Sequence, residues 1–371
     1  MRKRRFVIKS KKQTGARLAV LLGAALLICG AILGVFVLLS AHKNTADFSP
    51  LPFNVDANYS YTGSGFLYLS GGKLYYDDIA DAKKNTSFIV SSEDVRLASS
   101  SALMVLYNDN AVQIVGAQAS LLFTGTVLSV ACDAQHVAVL NKDGDGNSSL
   151  FIYNAQGDQI DKLDFAPGAL INFGFAKAGE ETLWTLELNV TGSLPISTLT
   201  TYNLTTNHTT GVVSVHSQLV DKVVFTETSI FLSGTANLIR YNRMGNSEAY
   251  RQLVYGWELA DYSTTSSTPL MLYTRRGGQI AGGVVRLLSL PEGDVASAAA
   301  QNVQLPADTI SAFISGGKLV ACTPTDLYTY TSAGKLSGKV PLPMQVRAVK
   351  KLAGGYALFT AGNGLYVSPI K

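Results

Sequence analysis

The chain has 371 residues, with 30 lysines and arginines against 26 aspartates and glutamates. This length permits one large all-β domain as readily as two or three average domains. The basic residues before position 18 are Arg2, Lys3, Arg4, Arg5, Lys9, Lys11, Lys12 and Arg17. The first acidic residue is Asp47, so the chain beyond the tail carries 22 basic and 26 acidic residues. This distribution excludes a broad basic surface for nucleic acid.

Residues 18–41 form an uncharged, apolar segment. As a helix they would extend about 36 Å, which is enough to cross a bilayer core of about 30 Å. The basic flank predicts that the tail, residues 1–17, stays in the cytoplasm. Leu39-Ser40-Ala41 is a poor cleavage site for a signal peptide. We therefore predict an uncleaved signal-anchor helix, a single-pass protein of the cell membrane and an extracellular domain.

Small residues within this segment bear on self-association. Gly30 and Gly34 have the GxxxG spacing that permits two helices to pack closely, so weak association of two spans is one interpretation. Because small residues are abundant here, chance is the better explanation. The three cysteines do not indicate a disulfide framework. Cys29 lies in the segment, and Cys132 and Cys322 lie in apolar runs, where we expect free buried thiols.

Beyond residue 50 the pattern predicts an all-β domain. Short runs such as 65–69, 103–107, 231–233 and 356–360 are rich in aromatic and aliphatic residues and are bounded by turn residues. Almost no stretch has the spacing of an amphipathic helix. The domain from 51 to 371 is therefore expected to consist of strands joined by tight turns.

A repeat of about 44 residues organises these strands. Tyr153, Tyr241 and Tyr330 are each followed by glycine four residues later, and weaker copies centre on Tyr202 and Ser289. A period of 40 to 50 residues with four short strands is typical of β-propeller blades. We predict eight blades, near 57–90, 95–124, 127–165, 169–215, 219–255, 257–305, 309–342 and 346–370. Seven blades are the alternative.

The last repeat is one strand short. Residues 356–360 and 365–368 correspond to the middle strands of a blade, and the sequence supplies no fourth strand after them. The segment 51–55 can fill the vacant outer edge, where Pro52 would be tolerated because an edge strand has an unpaired side. This closure predicts that residues 42–50 form a short linker.

This order of parts resembles an uncharacterised family of single-span Gram-positive bacterial proteins. The resemblance rests on the basic start at Met1–Arg5, the anchor and the Tyr-bearing repeats. It implies an exported propeller of the WD40-like or quinoprotein-like type. The chain departs from better-known propellers, because no Trp-Asp pair closes its blades and only Trp184 and Trp257 are available for tryptophan docking. The activities of those families are therefore not transferred.

The best candidate for a metal site is the loop 141–147. Its oxygen ligands would be Asn141, Asp143, Asp145 and Asn147, with Gly146 at the sixth position, as in a calcium-binding loop. The loop is incomplete, because Ile152 stands where an EF-hand loop has a bidentate glutamate. A solvated hairpin between two strands is the alternative interpretation. No other cofactor is predicted.

No catalytic arrangement of residues is evident. The four histidines are scattered, and we interpret Cys132 and His136 as a core thiol beside a loop histidine. The leading hypothesis is a binding or scaffolding module for an envelope protein or glycan. The alternatives are a carbohydrate- or lactone-active hydrolase or lyase with its site at the central channel, and a calcium-stabilised adhesin. Three or more loop carboxylates or histidines at one channel mouth would favour the enzyme.

Overall fold

The computed structural model describes residues 45–370, apart from 91, 118–119, 177–180, 244, 246, 266–267, 279, 281–282 and 291–298. The predicted tail and anchor lie outside the described residues. Within the described part, no helix is long and apolar enough to cross a membrane. The described helices are two short 3-10 turns, Ala82–Lys84 and Ala353–Gly355.

The described strands form eight antiparallel sheets of four strands each. The prediction of eight blades is confirmed, and the alternative of seven is wrong. Blades 1 to 4 consist of β2 (Tyr59–Tyr61), β3 (Gly65–Ser70), β4 (Lys73–Asp78), β5 (Thr86–Ile89); β6 (Arg96–Ser99), β7 (Met104–Tyr107), β8 (Ala111–Ile114), β9 (Leu121–Leu122); β10 (Thr126–Cys132), β11 (His136–Lys142), β12 (Ser148–Asn154), β13 (Gln159–Phe165); and β14 (Leu170–Phe175), β15 (Thr182–Asn189), β16 (Ile196–Asn203), β17 (His208–His216).

Blades 5 to 8 consist of β18 (Val220–Phe225), β19 (Ser229–Gly234), β20 (Asn237–Asn242), β21 (Glu248–Leu253); β22 (Trp257–Ser263), β23 (Leu270–Arg275), β24 (Val284–Ser289), β25 (Ala299–Gln304); β26 (Ser311–Ser315), β27 (Lys318–Cys322), β28 (Asp326–Tyr330), β29 (Leu336–Pro341); and β30 (Ala348–Lys351), β31 (Tyr356–Ala361), β32 (Gly364–Pro369) with β1 (Ser49–Asn54). We call the four strands of each blade A to D, from the channel outwards.

The alternating strand directions give the ring two faces. The AB face carries the turns from strand A to B and from C to D. The BC face carries the turns from B to C and the links from one blade to the next. Every blade meanders in the same sense, so these two sets of loops stay on opposite sides of the ring.

The N-terminal strand closes the ring, as the short last repeat predicts. β1 is the outer strand of blade 8 and pairs with β32, with Ser49 opposite Val367 and Asn54 opposite Gly364. The register shifts between Pro50 and Asn54, the stretch that contains Pro52, which has no N–H to donate.

The prediction that residues 42–50 form a linker is wrong for the second half of that segment. Ser49 and Pro50 already belong to β1. The ring of Phe48 lies 4.5 Å from that of Phe359, and the backbone N–H of Ala46 donates to the Pro341 carbonyl at 3.3 Å. These residues are held because Phe48 can bury its ring between blades 7 and 8.

The core is divided into apolar clusters between neighbouring blades, because each sheet has two apolar faces to cover. Between blades 8 and 1, the buried Phe66 and Leu358 pack with Leu51 and Phe53 of the closure strand. Burying side chains of this size contributes roughly 1.5–3 kcal/mol each. The closure strand therefore adds apolar packing as well as backbone pairing.

The repeated tyrosine marks the turn from strand C to D. Tyr153, Tyr241 and Tyr330 are 7–8% exposed and pack in the cluster shared with the preceding blade. The strand register shifts at each of them. The glycines four residues later have φ of 91°, 71° and 74°, a region that favours glycine. The sequence period therefore reports a local turn and a contact between blades.

Candidate binding site at the AB face of the channel

A cavity of about 520 Å³ opens on the AB face, where the inner strands of blades 4, 5 and 6 end. Its lining includes four aromatic side chains, three threonines and one carboxylate. The lining residues are Phe175, Ala176, Trp184, Val223, Phe225, Thr226, Glu227, Tyr262, Thr264 and Thr265. We call this space the aromatic cavity. Its volume lies in the range of small-molecule pockets, about 300–1,000 Å³.

Trp184 is positioned by the absence of a side chain on the strand beside it. Trp184 on β15 pairs with Gly174 on β14. A Cβ at position 174 would lie 3.1 Å from an indole carbon, so glycine lets the indole lie against the neighbouring backbone. On the other side, its ring is 6.3 Å from that of Phe225. The indole is therefore fixed before any ligand arrives.

A second group of contacts orders the AB turn of blade 5. The guanidinium of Arg243 lies 5.0 Å from the centre of the Phe225 ring and donates to the Thr226 carbonyl at 2.9 Å. Burial lowers the pKa of Arg243. The Thr226 hydroxyl accepts the Ser229 N–H at 3.0 Å. The floor of the aromatic cavity is thus held by polar and stacking contacts from within the same blade.

Tyr262 forms the opposite wall and belongs to the inner ring of strands. Its backbone carbonyl accepts a hydrogen bond from Lys351 Nζ at 2.8 Å. Lys351 is also bound to both carboxylate oxygens of Asp261 at 2.9 Å. Since Asp261 accepts the Ile314 N–H as well, this ion pair connects blades 6, 7 and 8. Tyr262 is 40% exposed, so its ring remains accessible.

A smaller cavity of about 350 Å³ lies beside the first and shares Phe175 with it. It is bounded by the AB turns of blades 1, 2 and 3. Its other lining residues are Thr62, Gly63, Ser100, Ser101, Ala131, Cys132 and Asp133. The two cavities together follow the channel mouth from blade 1 to blade 6.

Asp133 and His136 form a buried pair behind this second cavity. Asp133 Oδ1 accepts the backbone N–H groups of Gln135 and His136, and Asp133 Oδ2 lies 3.3 Å from His136 Nδ1. The interpretation of His136 as a loop histidine is wrong, because it is 7% exposed and begins β11. Its ring stacks on Phe175 at 6.3 Å.

The pKa shifts of Asp133 and of the neighbouring Cys132 indicate a structural turn and not a reactive thiol. Burial alone would raise the pKa of Asp133, but the hydrogen bonds from His136 and Gln135 hold it below its ordinary value. Burial raises the pKa of the neighbouring Cys132 thiol to about 12. A thiol with such a pKa is a poor nucleophile at neutral pH. Cys132 and Cys322 are free, as expected, but only Cys322 is buried, and Cys132 is half-buried.

The AB turns of several blades share one hydrogen bond. In each of them, a polar side chain accepts the backbone N–H of the residue three positions later in the chain. The acceptors are Thr62, Ser100, Asp133 and Thr226. Asp, Ser and Thr stabilise turns in this way. The Asp, Ser or Thr at the start of each of these four turns is visible in the sequence, although the tyrosine repeat alone does not reveal it.

The predicted calcium loop lies on the opposite face, as the BC turn of blade 3. Asp143 Oδ1 accepts the N–H groups of Asp145 and Asn147, so its carboxylate already closes the hairpin. Asn141 is a buried residue of β11 whose amide nitrogen lies near Gly125. Within the described residues, no group of three or more His, Cys, Asp or Glu is placed to hold a metal ion. Calcium binding stays a prediction.

The BC face has a cavity of its own, about 680 Å³, above blade 2. Its central side chain is Arg96, which lies 4.7 Å from the centre of the Tyr107 ring. Arg96 donates to Asp109 and to the Val127 carbonyl, both at 2.9 Å. The arginine is thus engaged in joining blades 2 and 3.

Comparison with known proteins identifies the fold. No protein-family model matches the chain, and no curated protein sequence matches it. Solved structures do match over most of the chain. BamB from Moraxella catarrhalis has 9% identity, covers 88% of this chain and 98% of its own, and gives a TM-score of 0.52.

Two WD40 domains are similar to the same extent. The C-terminal WD40 domain of Sif2 has 11% identity, a TM-score of 0.54 and coverage of 88% and 99%. The WD40 domain of SCAP from fission yeast has 8% identity, a TM-score of 0.56 and coverage of 87% and 98%. At such identities the similarity concerns the fold alone. The chain therefore has the β-propeller fold of the BamB and WD40 type.

Proposed function

We propose that this protein is a membrane-anchored, extracytoplasmic binding module that presents the AB face of its propeller to an envelope protein or glycan. Residues 18–41 serve as the single span, and the basic tail stays in the cytoplasm. This arrangement is that of the Gram-positive single-span proteins that the sequence resembles. The ring is then displayed outside the cell, where an envelope ligand can reach it.

The aromatic cavity is the observation that carries this proposal. Phe175, Trp184, Phe225 and Tyr262 line a single concave space at the channel mouth. Aromatic side chains contribute much of the energy of binding sites, because they bury a large area with little loss of conformational freedom. Glu227 and the threonines of the rim supply polar groups that fix the orientation of a ligand.

At the AB face, the described residues contribute one carboxylate to each cavity, Asp133 and Glu227, and Asp133 is engaged in its turn. The cavity of the BC face is lined by three loop carboxylates, Glu93, Asp94 and Asp109. Two of them are engaged in structural contacts, because Glu93 accepts the Gly72 N–H and Asp109 pairs with Arg96. These contacts support binding at the AB face over the hydrolase or lyase. The calcium-stabilised adhesin is tested separately by the melting temperature with calcium and with a chelator, and no change would remove it.

Photo-crosslinking in living cells tests the proposed function. A photoreactive phenylalanine at Tyr262 of the full chain places the probe at the wall of the aromatic cavity. We expect crosslinks to one protein or to cell-wall glycan, identified by mass spectrometry. The same probe at Leu336, which is 58% exposed at the outer rim of the AB face, is the matched control and should give no such product.

Two substitutions at Trp184 distinguish specific binding in the aromatic cavity from crosslinking by chance proximity. Trp184→Phe retains a ring on Gly174 and should reduce the yield at Tyr262 only moderately, whereas Trp184→Ala should abolish it. Equal crosslinking from positions 262 and 336, or an unchanged yield with Trp184→Ala, would contradict the proposal.

A further inference from the structure

The large apolar side chains that are exposed among the described residues lie mainly on the BC face. On this face they are Ile89, Leu122, Leu128, Ile171, Val190, Leu194, Leu253, Tyr255, Val284 and Met344. On the AB face they are Tyr262 and Leu336, and Phe88 and Val212 lie on outer strands between the faces. Ten of these fourteen side chains lie on one face, so the BC face is the side of the described ring with the most exposed apolar surface.

Strand register places these residues on the BC face. Ile89, Leu122 and Leu253 are opposite Lys73, Ala111 and Asn237. Each of these partners is the first residue of a C strand and follows directly after a BC turn. Val190 and Leu194 belong to the BC turn of blade 4, and Tyr255 to the link between blades 5 and 6. Their exposed fractions include 87% for Ile89, 80% for Leu122 and 77% for Tyr255.

Two bulges extend this apolar surface to the channel mouth. The register of β10 shifts between Val127 and Ser129, and that of β14 shifts between Leu170 and Asn172. The residues at the shifts, Leu128 and Ile171, are 42% and 41% exposed. A bulge redirects the side chain of its extra residue. The inner strands of blades 3 and 4 thus both present an aliphatic side chain at the BC face.

The chain enters the propeller at the same face. Ala46 binds the carbonyl of Pro341, and Pro341 is opposite Asp326, the first residue of a C strand. Phe48 packs in the cluster that contains Leu342 and Val346, of the link between blades 7 and 8. Residues 42–45, between the apolar segment and Ala46, can span at most about 14 Å. The proposed membrane span therefore joins the ring close to the apolar face.

We propose that the BC face rests on the outer surface of the bilayer, with its exposed apolar side chains among the lipid headgroups. This inference depends on the proposed anchor at residues 18–41. A flat lipid surface contacts residues spread over blades 1, 2, 4 and 5 at once, whereas a protein partner covers one compact patch of about 800 Å². Tyrosine is also enriched at membrane interfaces.

The charges of this face set the depth of contact. Glu93, Asp94, Asp143 and Asp145 are exposed on this face, and ionised carboxylates are costly to transfer from water into hydrocarbon. The face therefore lies at headgroup level. The AB face then points away from the membrane, with the aromatic cavity open towards the envelope.

Quenching by brominated lipids tests this orientation in the full chain. Tyr255→Trp adds an exposed tryptophan on the BC face, and Leu336→Trp adds one on the AB face, where the native side chains are 77% and 58% exposed. Both variants retain Trp184 and Trp257, so the native protein supplies the common background. In nanodiscs with phosphatidylcholine brominated along its acyl chains, we expect the added emission of Tyr255→Trp to be lost and that of Leu336→Trp to remain.

The outcomes separate this inference from the proposed function. If the chain does not insert into nanodiscs, the anchor is wrong and both proposals fail. If it inserts and the Tyr255→Trp emission persists in brominated lipid, the bilayer is not the occupant of this face, although the binding function survives. Persistent emission that shifts to the blue with rising protein concentration would instead indicate a second copy of the chain.

Discussion

The two faces of the ring differ in shape and chemistry although both are built from the same repeat. The AB face is concave at the channel and gathers aromatic side chains into one cavity. The BC face carries separate apolar side chains, and the cavity in its described part is lined mainly by charged and polar residues around Arg96. The two sides of a closed ring of blades can thus bind different partners, because the loops on each side vary independently of the sheets between them.

Opening the ring should have the largest effect, because both faces depend on closure. A chain that begins at Asp56 lacks β1 and loses the packing of Phe48, Leu51, Phe53 and Val55. At roughly 1.5–3 kcal/mol for each fully buried side chain, and less for these half-buried ones, we expect a loss of about 5 kcal/mol. Urea unfolding of this chain and of one that begins at Asn44 measures the difference.

Unfolding at the same urea concentration, together with equal monomer fractions, would show that β1 does not close the ring. The second readout matters because the freed edge of β32 presents unpaired backbone groups to other chains.

Trp184→Ala should weaken binding at the AB face. Because the indole is half-buried, the loss of unfolding free energy should be smaller than the value of about 3–5 kcal/mol for a fully buried tryptophan. Binding of the partner crosslinked at Tyr262 should fall at least about tenfold, since each 1.4 kcal/mol of lost binding free energy corresponds to that factor. Tyr255→Ser on the BC face is the control and should leave this binding unchanged in detergent, as measured by titration. A similar loss from both variants would show that the faces are not independent.

Gly174→Ala tests whether the indole is held in advance. The new Cβ would lie 3.1 Å from Trp184, and overpacking of this kind costs about 1–3 kcal/mol. Gly338→Ala, on an outer strand, is the matched control because its Cβ would meet nothing closer than 4.0 Å. We expect a shifted tryptophan emission and weaker binding only for the first variant. Identical spectra for both would show that position 174 does not set the indole.

The smallest effect should appear on acidification. The lowered pKa of Asp133 means that its carboxylate stabilises the fold above its unfolded pKa of about 3.9, and that this contribution is lost as the pH falls through its folded pKa. Asp133→Asn should cost about 1 kcal/mol at pH 7, the difference between a charged and a neutral acceptor.

The variant should also show a weaker loss of stability than the native chain as the pH falls below about 4. Thermal unfolding across this range measures both slopes, and parallel curves would show that the carboxylate charge is not used in the turn.

The blades and their closure were predictable because their signals are local. Tyr153 and Gly157 lie in one turn, so the turn reappears in the sequence wherever the fold repeats it. The vacant edge of blade 8 followed from counting strands. The burial of His136 was not predictable in this way, because the sequence of a turn does not show whether its histidine will pack against Asp133 and Phe175.

The aromatic cavity was harder to predict because its walls come from three blades. Phe175, Phe225 and Tyr262 are far apart in the chain, and only the ring brings the ends of their strands together. One signal was present: an aromatic residue ends or nearly ends β14, β18 and β22. The asymmetry of the faces had no such signal, because it depends on strand direction and on exposure.

Hydrogen exchange of the full chain in nanodiscs and in detergent tests most directly whether the two faces have different surroundings. We expect slower exchange in nanodiscs at the BC turn 190–195 and the link 254–256, and equal exchange in both media at the AB turn 226–228. Equal exchange everywhere, or slower exchange at the AB turn, would contradict the assignment of the BC face to the bilayer and the AB face to an envelope ligand.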